Sequence, residues 1–280
     1  MTLSIIIVNF NGASFIKNCL DSVLAQRRFF NDFNVIVVDN ASTDASLNML
    51  SSYGNAITLI KNKENVGFPA AHNQLLDQLD ANYLWLLNND TEFDHHCDII
   101  SPIIECFEGD PNVVGVSPKL LNTDGTLQAQ GSGLTQWMYR KKTSSAVRFL
   151  SGASLFIRND FFQMIQGFDP NLFFYNDDVD FAYQARKYKK KLIYYPAICV
   201  THHGGLSTKY NRIATTIGGY FGSAHLCKKY YPRWIYVIYR LLLRLLLRVQ
   251  ILYHSLITST QSSEWVDELT KLEKQLRHDI

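Results

Sequence analysis

Apolar residues fall in short blocks over the first 90 positions, and a polar cluster closes each block. Leu3 to Val8 reads Leu-Ser-Ile-Ile-Ile-Val, a β-branched strand. Between Ser14 and Ala25, Phe15, Ile16, Cys19, Leu20, Val23 and Leu24 recur near helical spacing. Val35 to Val38 predicts a second strand ended by Asp39-Asn40, and Asp44 is placed to cap a helix through Leu50. Ile57 to Ile60 predicts a third strand, Ala70 to Leu79 a helix, and Tyr83 to Leu87 a fourth strand. Blocks this uniformly apolar predict strands covered on both faces, hence a mainly parallel sheet flanked by helices. Right-handed crossovers then line the strand ends along one edge. Asn9, Asp39, Asn65 and Asp90 converge there, where open α/β sheets bind ligands.

The middle of the chain is more irregular. Asn122 to Thr126 predicts a hairpin turn, Ser132 to Ser145 a polar mobile loop, and Gly167 to Pro170 a turn. Phe149 to Ile157 predicts a strand whose small residues, Ser151-Gly152-Ala153-Ser154, let a ligand come close. Val179 to Tyr188 predicts a helix and Leu192 to Tyr195 a strand before His202-His203. Near the C-terminus, Trp234 to Val249 is almost wholly apolar apart from Arg240, Arg244 and Arg248, which share a helical stripe with Arg233. Arginine recurs too often for a spanning helix. The pattern predicts an amphipathic helix lying on an anionic membrane surface, with Trp234 at the boundary. The same arc would equally serve the catalytic domain or a homodimer partner. Ser263 is placed as the cap of a last helix with Trp265, Leu269, Leu272 and Leu276 on one face.

Charge sharpens this picture. Residues 181–263 contain no Asp or Glu but thirteen Lys and Arg, although the whole 280-residue chain carries only +2. Such a stretch predicts contact with phosphates or a membrane surface. The five cysteines are scattered, without Cys-x-x-Cys, which fits a reducing compartment and argues against a zinc knuckle. The first residues carry no signal-peptide pattern, so a cytoplasmic location is expected.

Three clusters carry the chemistry: Asn88-Asn89-Asp90, Asp177-Asp178-Val179-Asp180 and His202-His203. Around them stand Ser4-Ile-Ile-Ile-Val-Asn-Phe-Asn-Gly12, Val38-Asp-Asn-Ala-Ser-Thr-Asp44, Asn65-Val-Gly-Phe68 with Asn73, Ser151-Gly-Ala-Ser154, Gly167-Phe-Asp-Pro170 and His202-His-Gly-Gly205. In this order, over residues 1 to about 235, they resemble family 2 glycosyltransferases of the GT-A fold, in particular the bacterial rhamnosyltransferase-like subgroup. The resemblance implies a catalytic domain over 1–230, with a nucleotide-sugar part to about 120 and an acceptor part beyond, and a helical appendage over 231–280. Two departures are visible: Asp177-Asp178 where the family usually has Glu-Asp, and Asn88-Asn89-Asp90 where many relatives have Asp-x-Asp.

The resemblance implies an inverting transfer of a sugar, with rhamnose the subgroup's candidate, from a nucleotide-diphosphate donor to a hydroxyl of a lipid-linked or nascent cell-surface glycan. Asp178 would be the general base, with Asp177 beside it raising its basicity. Asp90 and His202, with His203 as the alternative, would hold Mn²⁺ or Mg²⁺. Asn9, Asp39, Asn40, Asn65, Gly67, Asn73, Asn89 and Asp90 would line the donor pocket, and Ser151, Gly152 and Asp180 the acceptor side. The enzyme would work peripherally at the inner face of the bacterial cytoplasmic membrane, without a nucleic-acid partner. A dinucleotide oxidoreductase would need Gly-x-Gly-x-x-Gly after the first strand, which is absent. A sugar nucleotidyltransferase would need a glycine-rich basic loop that residues 9–13 do not supply. A binding module with a decayed site is the non-catalytic alternative, kept open by the single carboxylate of Asn88-Asn89-Asp90.

Overall fold

A computed structural model describes residues 2–130, 136–204, 212–257 and 260–278. The chain divides into two compact units: Met1–Pro170 with Asp177–Gly204, and Asn171–Asn176 with Gly205–Ile280. The division falls at 204/205 rather than 230/231, so the helix before the expected appendage belongs with it.

The first unit runs β1 (Leu3–Asn9), α1 (Ile16–Ala25), β2 (Phe33–Asp39), α2 (Ser46–Ser51), β3 (Thr58–Lys61), α3 (Phe68–Asn73), β4 (Tyr83–Asn88), β5 (Thr91–Glu92), α4 (Ile100–Gly109), β6 (Val113–Leu121), β7 (Ser145–Val147), β8 (Ser154–Arg158), α5 (Asn159–Met164), α6 (Asp177–Lys187) and β9 (Lys191–His202). The strands join in the order β3-β2-β1-β4-β8-β6-β9-β5, with β7 also on β9. Most paired positions are parallel: β1 with β2 and β4, β2 with β3, and β6 with β9. β8 is antiparallel to both neighbours.

Alternation along the strands explains the layering. Leu3, Ile5, Ile7, Trp85 and Leu87 pack with α1 and α4 in one core. Ile6, Val38, Leu84 and Leu86 point the other way and pack with residues of α3, α5 and α6. Both faces are therefore covered, as uniformly apolar strands require.

Several elements differ from the sequence pattern. The helix expected over 70–79 starts at Phe68, with Pro69 in its first turn, and gives way after Asn73 to a tighter turn over Leu76–Gln78. β8 starts only at Ser154, so Ser151-Gly152-Ala153 lies in a turn before the strand. Within the expected loop 132–145, residues 131–135 lie outside the described residues, whereas Gln136–Arg140 forms a 3₁₀ turn. Tyr139 is buried there and donates to the Phe149 carbonyl at 2.6 Å. The cap of α2 is Ala45, and Asp44, one residue outside it, accepts from the Ser46 and Ala13 N–H groups, each at 2.9 Å.

The second unit contains α7 (Arg212–Tyr230), α8 (Arg233–Ser255) and α9 (Thr260–His278). Ala224, Leu243, Leu247, Leu269, Leu272 and Leu276 form its core. Pro232 precedes α8, where its missing N–H costs no helical bond. Ser263 lies inside the first turn of α9 rather than capping it, because the helix begins at Thr260. The arginine stripe is also partly diverted from solvent. Arg244 and Arg248 both donate to the buried Glu273 carboxylate, at 3.0–3.1 Å and 3.0 Å. A buried carboxylate must be paired; these two cations bond one oxygen, and Arg277 stands 3.8 Å from the other. Leu242, Leu245, Val249 and Leu252 of α8 remain exposed.

Candidate active site

Strand direction alone brings two of the three clusters to one place. β1, β2 and β4 end at the same sheet edge because they are parallel. β8 runs against β4 and so starts at that edge. β6 runs against β8 and β9 runs with β6, so β9 ends there as well. Asn9, Asp39, Asn88–Asp90, Ser151–Ala153 and His202 therefore share one rim.

Asp90 and His202 meet directly, with His202 Nε2 at 3.2 Å from Asp90 Oδ1. The pairing of Thr91 with His202 across β5 and β9 fixes this register, and the His203 N–H donates to the Asp90 carbonyl at 2.9 Å. Gln128 sets the imidazole tautomer. Its amide nitrogen donates to the His202 carbonyl (3.2 Å) and to Asn122 Oδ1 (3.3 Å), so its Oε1 faces His202 Nδ1 at 2.8 Å as an acceptor. Nδ1 then carries the proton, and Nε2 accepts from Asn88 Nδ2 at 3.2 Å.

This arrangement sets His202 Nε2, whose lone pair the Asn88 amide reaches, beside a carboxylate oxygen, so a cation binding both would displace that amide. A separation of 3.2 Å also matches neighbouring corners of an octahedron with bonds of roughly 2.1 Å. Among the described residues no three His, Cys, Asp or Glu side chains gather as a complete metal centre. Any ion held here needs further ligands from phosphate and water, as Mg²⁺-type ions commonly take. His203 instead contacts Glu92 Oε1 at 3.2 Å and packs on Phe15, so His202 is the one facing Asp90.

The acidic pair opens α6. Asp178 accepts from the Gly152 N–H at 3.1 Å and from the Val179 N–H at 2.8 Å. Asn88 ties this region to the imidazole: its backbone N–H donates to the Ala153 carbonyl at 3.0 Å while its side chain reaches His202. Burial raises both carboxyls above the usual range. Asp177 is raised further by the charges of Asp178 and Asp180, whereas the Gly152 and Val179 N–H groups hold Asp178 back. Asp177 is buried and Asp178 keeps part of its surface open, so Asp178 is the member a substrate can touch. Asp180 lies three residues after Asp177 on the same inward face and is only 2% exposed.

The residues expected to hold the donor divide into two groups. Asp39 is buried and accepts from Asn9 Nδ2 (2.8 Å), Ser42 N (3.0 Å) and Ser42 Oγ (2.6 Å). Asn40 donates to Asn65 Oδ1 and the Gly67 carbonyl, each at 3.3 Å, and accepts from Asn62 at 2.8 Å. Asn65 also accepts from the Gly67 N–H at 3.0 Å, and Gly67 has φ of +85°, which favours glycine. These residues form one connected rim.

Asn9 and Asn73 play other parts. Asn9 is 0% exposed, donates to Asp39, Ser42 and Ser46, and accepts from Asn89 Nδ2 at 2.8 Å. It is a buried node that bonds both Asp39 and Asn89. Asn73 closes a two-way bond with the Phe168 backbone, at 2.8 and 2.9 Å, so it clamps the Gly167 turn.

Four residues of this rim have roles that the sequence did not assign. Gln128 and the Asn88 side chain orient His202, and polar residues in a turn carry no signal of that role. Gly12 is required for the Asn89–Asn9 bond, because a Cβ there would stand 2.2 Å from Asn89 Nδ2 and 2.3 Å from Asn9 Oδ1. Phe10, directly after β1, is 41% exposed at the rim; an apolar residue outside the strand's buried run was its one available signal.

The chain belongs to glycosyl transferase family 2, whose family model matches residues 4–173. It is similar to the teichoic acid poly(glycerol phosphate) polymerase of Staphylococcus epidermidis, 34% identical over 94 residues, 32% of this chain and 13% of the polymerase. It is also similar to the low-salt glycan biosynthesis hexosyltransferase Agl10 of Haloferax volcanii, 28% identical over 202 residues, 66% of this chain and 62% of that protein. In both cases the chain spans less than two thirds of the relative's length. Among solved structures, the mannosyltransferase PcManGT from Pyrobaculum calidifontis, in complex with GDP-Man and Mn²⁺, matches with a TM-score of 0.62 at 15% identity, over 96% of this chain and 84% of that one. At that identity the likeness shows the fold, the GT-A fold that the resemblance implied.

Proposed function

We propose that this protein is an inverting glycosyltransferase moving a hexose from a nucleotide-diphosphate donor to a hydroxyl of a cell-surface glycan. The observation that carries this reading is the linkage of two chemistries on one rim. Asp90 and His202 stand together, and Asn88 joins them to the Gly152–Asp178 contact.

Each side chain then has a task. Asp39, Asn40 and Asn65 offer acceptors and donors for base and ribose, and the Phe10 ring offers a stacking face. Asp90 and His202 would hold Mn²⁺ or Mg²⁺, with the one imidazole favouring Mn²⁺. Such an ion supplies Lewis-acid neutralisation of the charge growing on the leaving diphosphate. Asp178, its proton affinity raised by burial, takes the proton of the attacking hydroxyl. One displacement assisted by one base inverts the anomeric carbon.

Thermal stabilisation by UDP-, GDP- and dTDP-sugars, dTDP-rhamnose included, each with and without Mn²⁺, tests the donor assignment. A donor bound at a hundred times its Kd stabilises by about 2.7 kcal/mol. A panel that shifts nothing overturns the reading. Release of nucleotide from the donor without acceptor separates an enzyme from a binding module, which would show none.

A lipid-linked acceptor fits the second unit. The exposed face of α8, from Trp234 through Ile238, Leu242, Leu245 and Val249 to Leu252, carries no charge and extends over 19 residues, about 28 Å of helix. Arg233 is exposed at its start, suited to anionic headgroups. No helix among the described residues is long and apolar enough to cross a membrane, so the face would lie in the interface. Leu242→Glu with Leu245→Glu should abolish sedimentation with vesicles containing phosphatidylglycerol. A wild-type chain that ignores vesicles and elutes as a dimer would assign the face to a second copy.

A further inference from the structure

The second unit holds a cavity of about 410 Å³ lined by Tyr175, Asn176, Thr215, Thr216, Gly219, Tyr220 and Ser223. We infer that this cavity is a subsite for a neutral sugar unit of the acceptor glycan, an inference that rests on the transferase reading above.

The lining decides the ligand class. It contains no charged side chain, which disfavours a phosphate or nucleotide. It offers two tyrosine rings together with hydroxyl and amide groups. A pyranose presents the same combination, an apolar C–H face edged by hydroxyls, and amphipathic tyrosine suits both parts. The polar atoms have capacity left. Tyr220 accepts from Gln250 Nε2 at 3.0 Å and keeps its own O–H to donate. Ser223 donates to the Gly219 carbonyl at 2.6 Å, and Asn176 Nδ2 donates to the same carbonyl at 3.3 Å. The Asn176 amide oxygen therefore remains as an acceptor, whereas Ser223 is also bonded to Tyr239.

The cavity also depends on residues that have no other explanation in the fold. Tyr175 and Asn176 both have positive φ, +66° and +69°. For a bulky tyrosine that is an outlier of the kind that gathers at binding sites. A glycine face on α7 makes room for the segment: a Cβ on Gly222 would stand 2.5 Å from Asn176 Nδ2, and one on Gly218 3.2 Å from the Phe174 carbonyl oxygen. Gly219 differs, because a Cβ there would meet nothing within 4 Å. Its bare backbone borders open space that a side chain would fill.

The test uses the full chain and a panel of methyl glycosides: α-glucoside, α-galactoside, α-mannoside, α-rhamnoside and β-N-acetylglucosaminide. Saturation-transfer NMR is recorded on wild type, Gly219→Leu and Tyr175→Ala, with nucleotide-sugar and Mn²⁺ thermal shifts run in parallel. Leucine favours a helix more than glycine does, so Gly219→Leu plugs the cavity without breaking α7. Thr216→Val is the milder second variant. At least one glycoside should bind wild type, weaken tenfold or more in Gly219→Leu and several-fold in Tyr175→Ala, with nucleotide-sugar stabilisation unchanged. No glycoside bound by wild type, or equal binding by Gly219→Leu, overturns the subsite. Loss of the nucleotide-sugar shift in wild type would instead count against the transferase reading, so the two failures are distinguishable.

Discussion

Replacing Asp178 by Asn tests the base with little change of shape. The carboxylate accepts two backbone bonds, from Gly152 N–H at 3.1 Å on one oxygen and from Val179 N–H at 2.8 Å on the other. Asparagine has one oxygen, so one of these N–H groups faces an amide nitrogen. An orphaned donor costs about 1–3 kcal/mol. Removing a negative charge beside Asp177 relieves repulsion and offsets part of that. The expected loss of stability is about 1–2 kcal/mol, a drop in Tm of roughly 2–8 °C for a chain of this size. The expected loss of turnover is far larger, about 10²–10⁴-fold for a general base, or about 3–5 kcal/mol of barrier. Transfer to acceptor is measured alongside donor binding and melting. Donor binding should be retained and transfer lost. Because burial raises Asp178, wild-type turnover should climb with pH through a value above the ordinary carboxylate range of about 4. A variant that keeps turnover within tenfold of wild type, or a pH profile flat across that region, refutes the assignment.

Three further substitutions probe the framework. Gly12→Ala should displace Asn89, orphan the buried Asn9 oxygen at a cost of about 1–3 kcal/mol and weaken Mn²⁺-dependent nucleotide stabilisation; unchanged metal dependence would contradict the proposed order of the rim. Gly167→Ala meets both a φ of +74° and Asn73 Oδ1 at 2.3 Å, so a cost of about 2–4 kcal/mol is expected from left-handed strain and broken bonds, with donor affinity kept. Glu273→Gln should destabilise the helical unit by about 1–3 kcal/mol, discounted because Arg248 and Arg277 are more than half exposed; an unchanged melt would show that the cluster contributes little.

The pH dependence of stability should have two components of opposite sign. Burial alone would raise Glu273, but its hydrogen bonds and charges from Arg244 and Arg248 outweigh burial and hold it below its usual value. Its contribution is present above the unfolded glutamate value of about 4.3 and fades as pH falls through the lower native one. Asp177 and Asp178 are raised, so the native state keeps protons that the unfolded chain releases above about pH 4. Their contribution is full below that value and is lost as pH rises through the raised native ones. Asp178→Asn and Glu273→Gln melts compared from about pH 2 to 9 separate the two.

The parallel half of the sheet and its ligand-bearing edge follow from the sequence, because a strand buried on both faces must be apolar throughout, and Ile5–Ile7, Val35–Val38 and Leu84–Leu87 are. Asp90 and His202 were legible because titratable residues at the ends of buried strands have few structural uses, whereas Asp177-Asp178 stood out as adjacent carboxylates. What sequence could not supply is the partner of each polar group, since hydrogen bonds and ion pairs form between residues as far apart as Asn88 and His202. Only the folded chain shows Asn9 and Asn73 turned inward and Asp180 buried. Only packing assigns Arg244 and Arg248 to Glu273. The helical pattern gives the stripe of cations on α8, but the carboxylate that captures two of them stands on another helix.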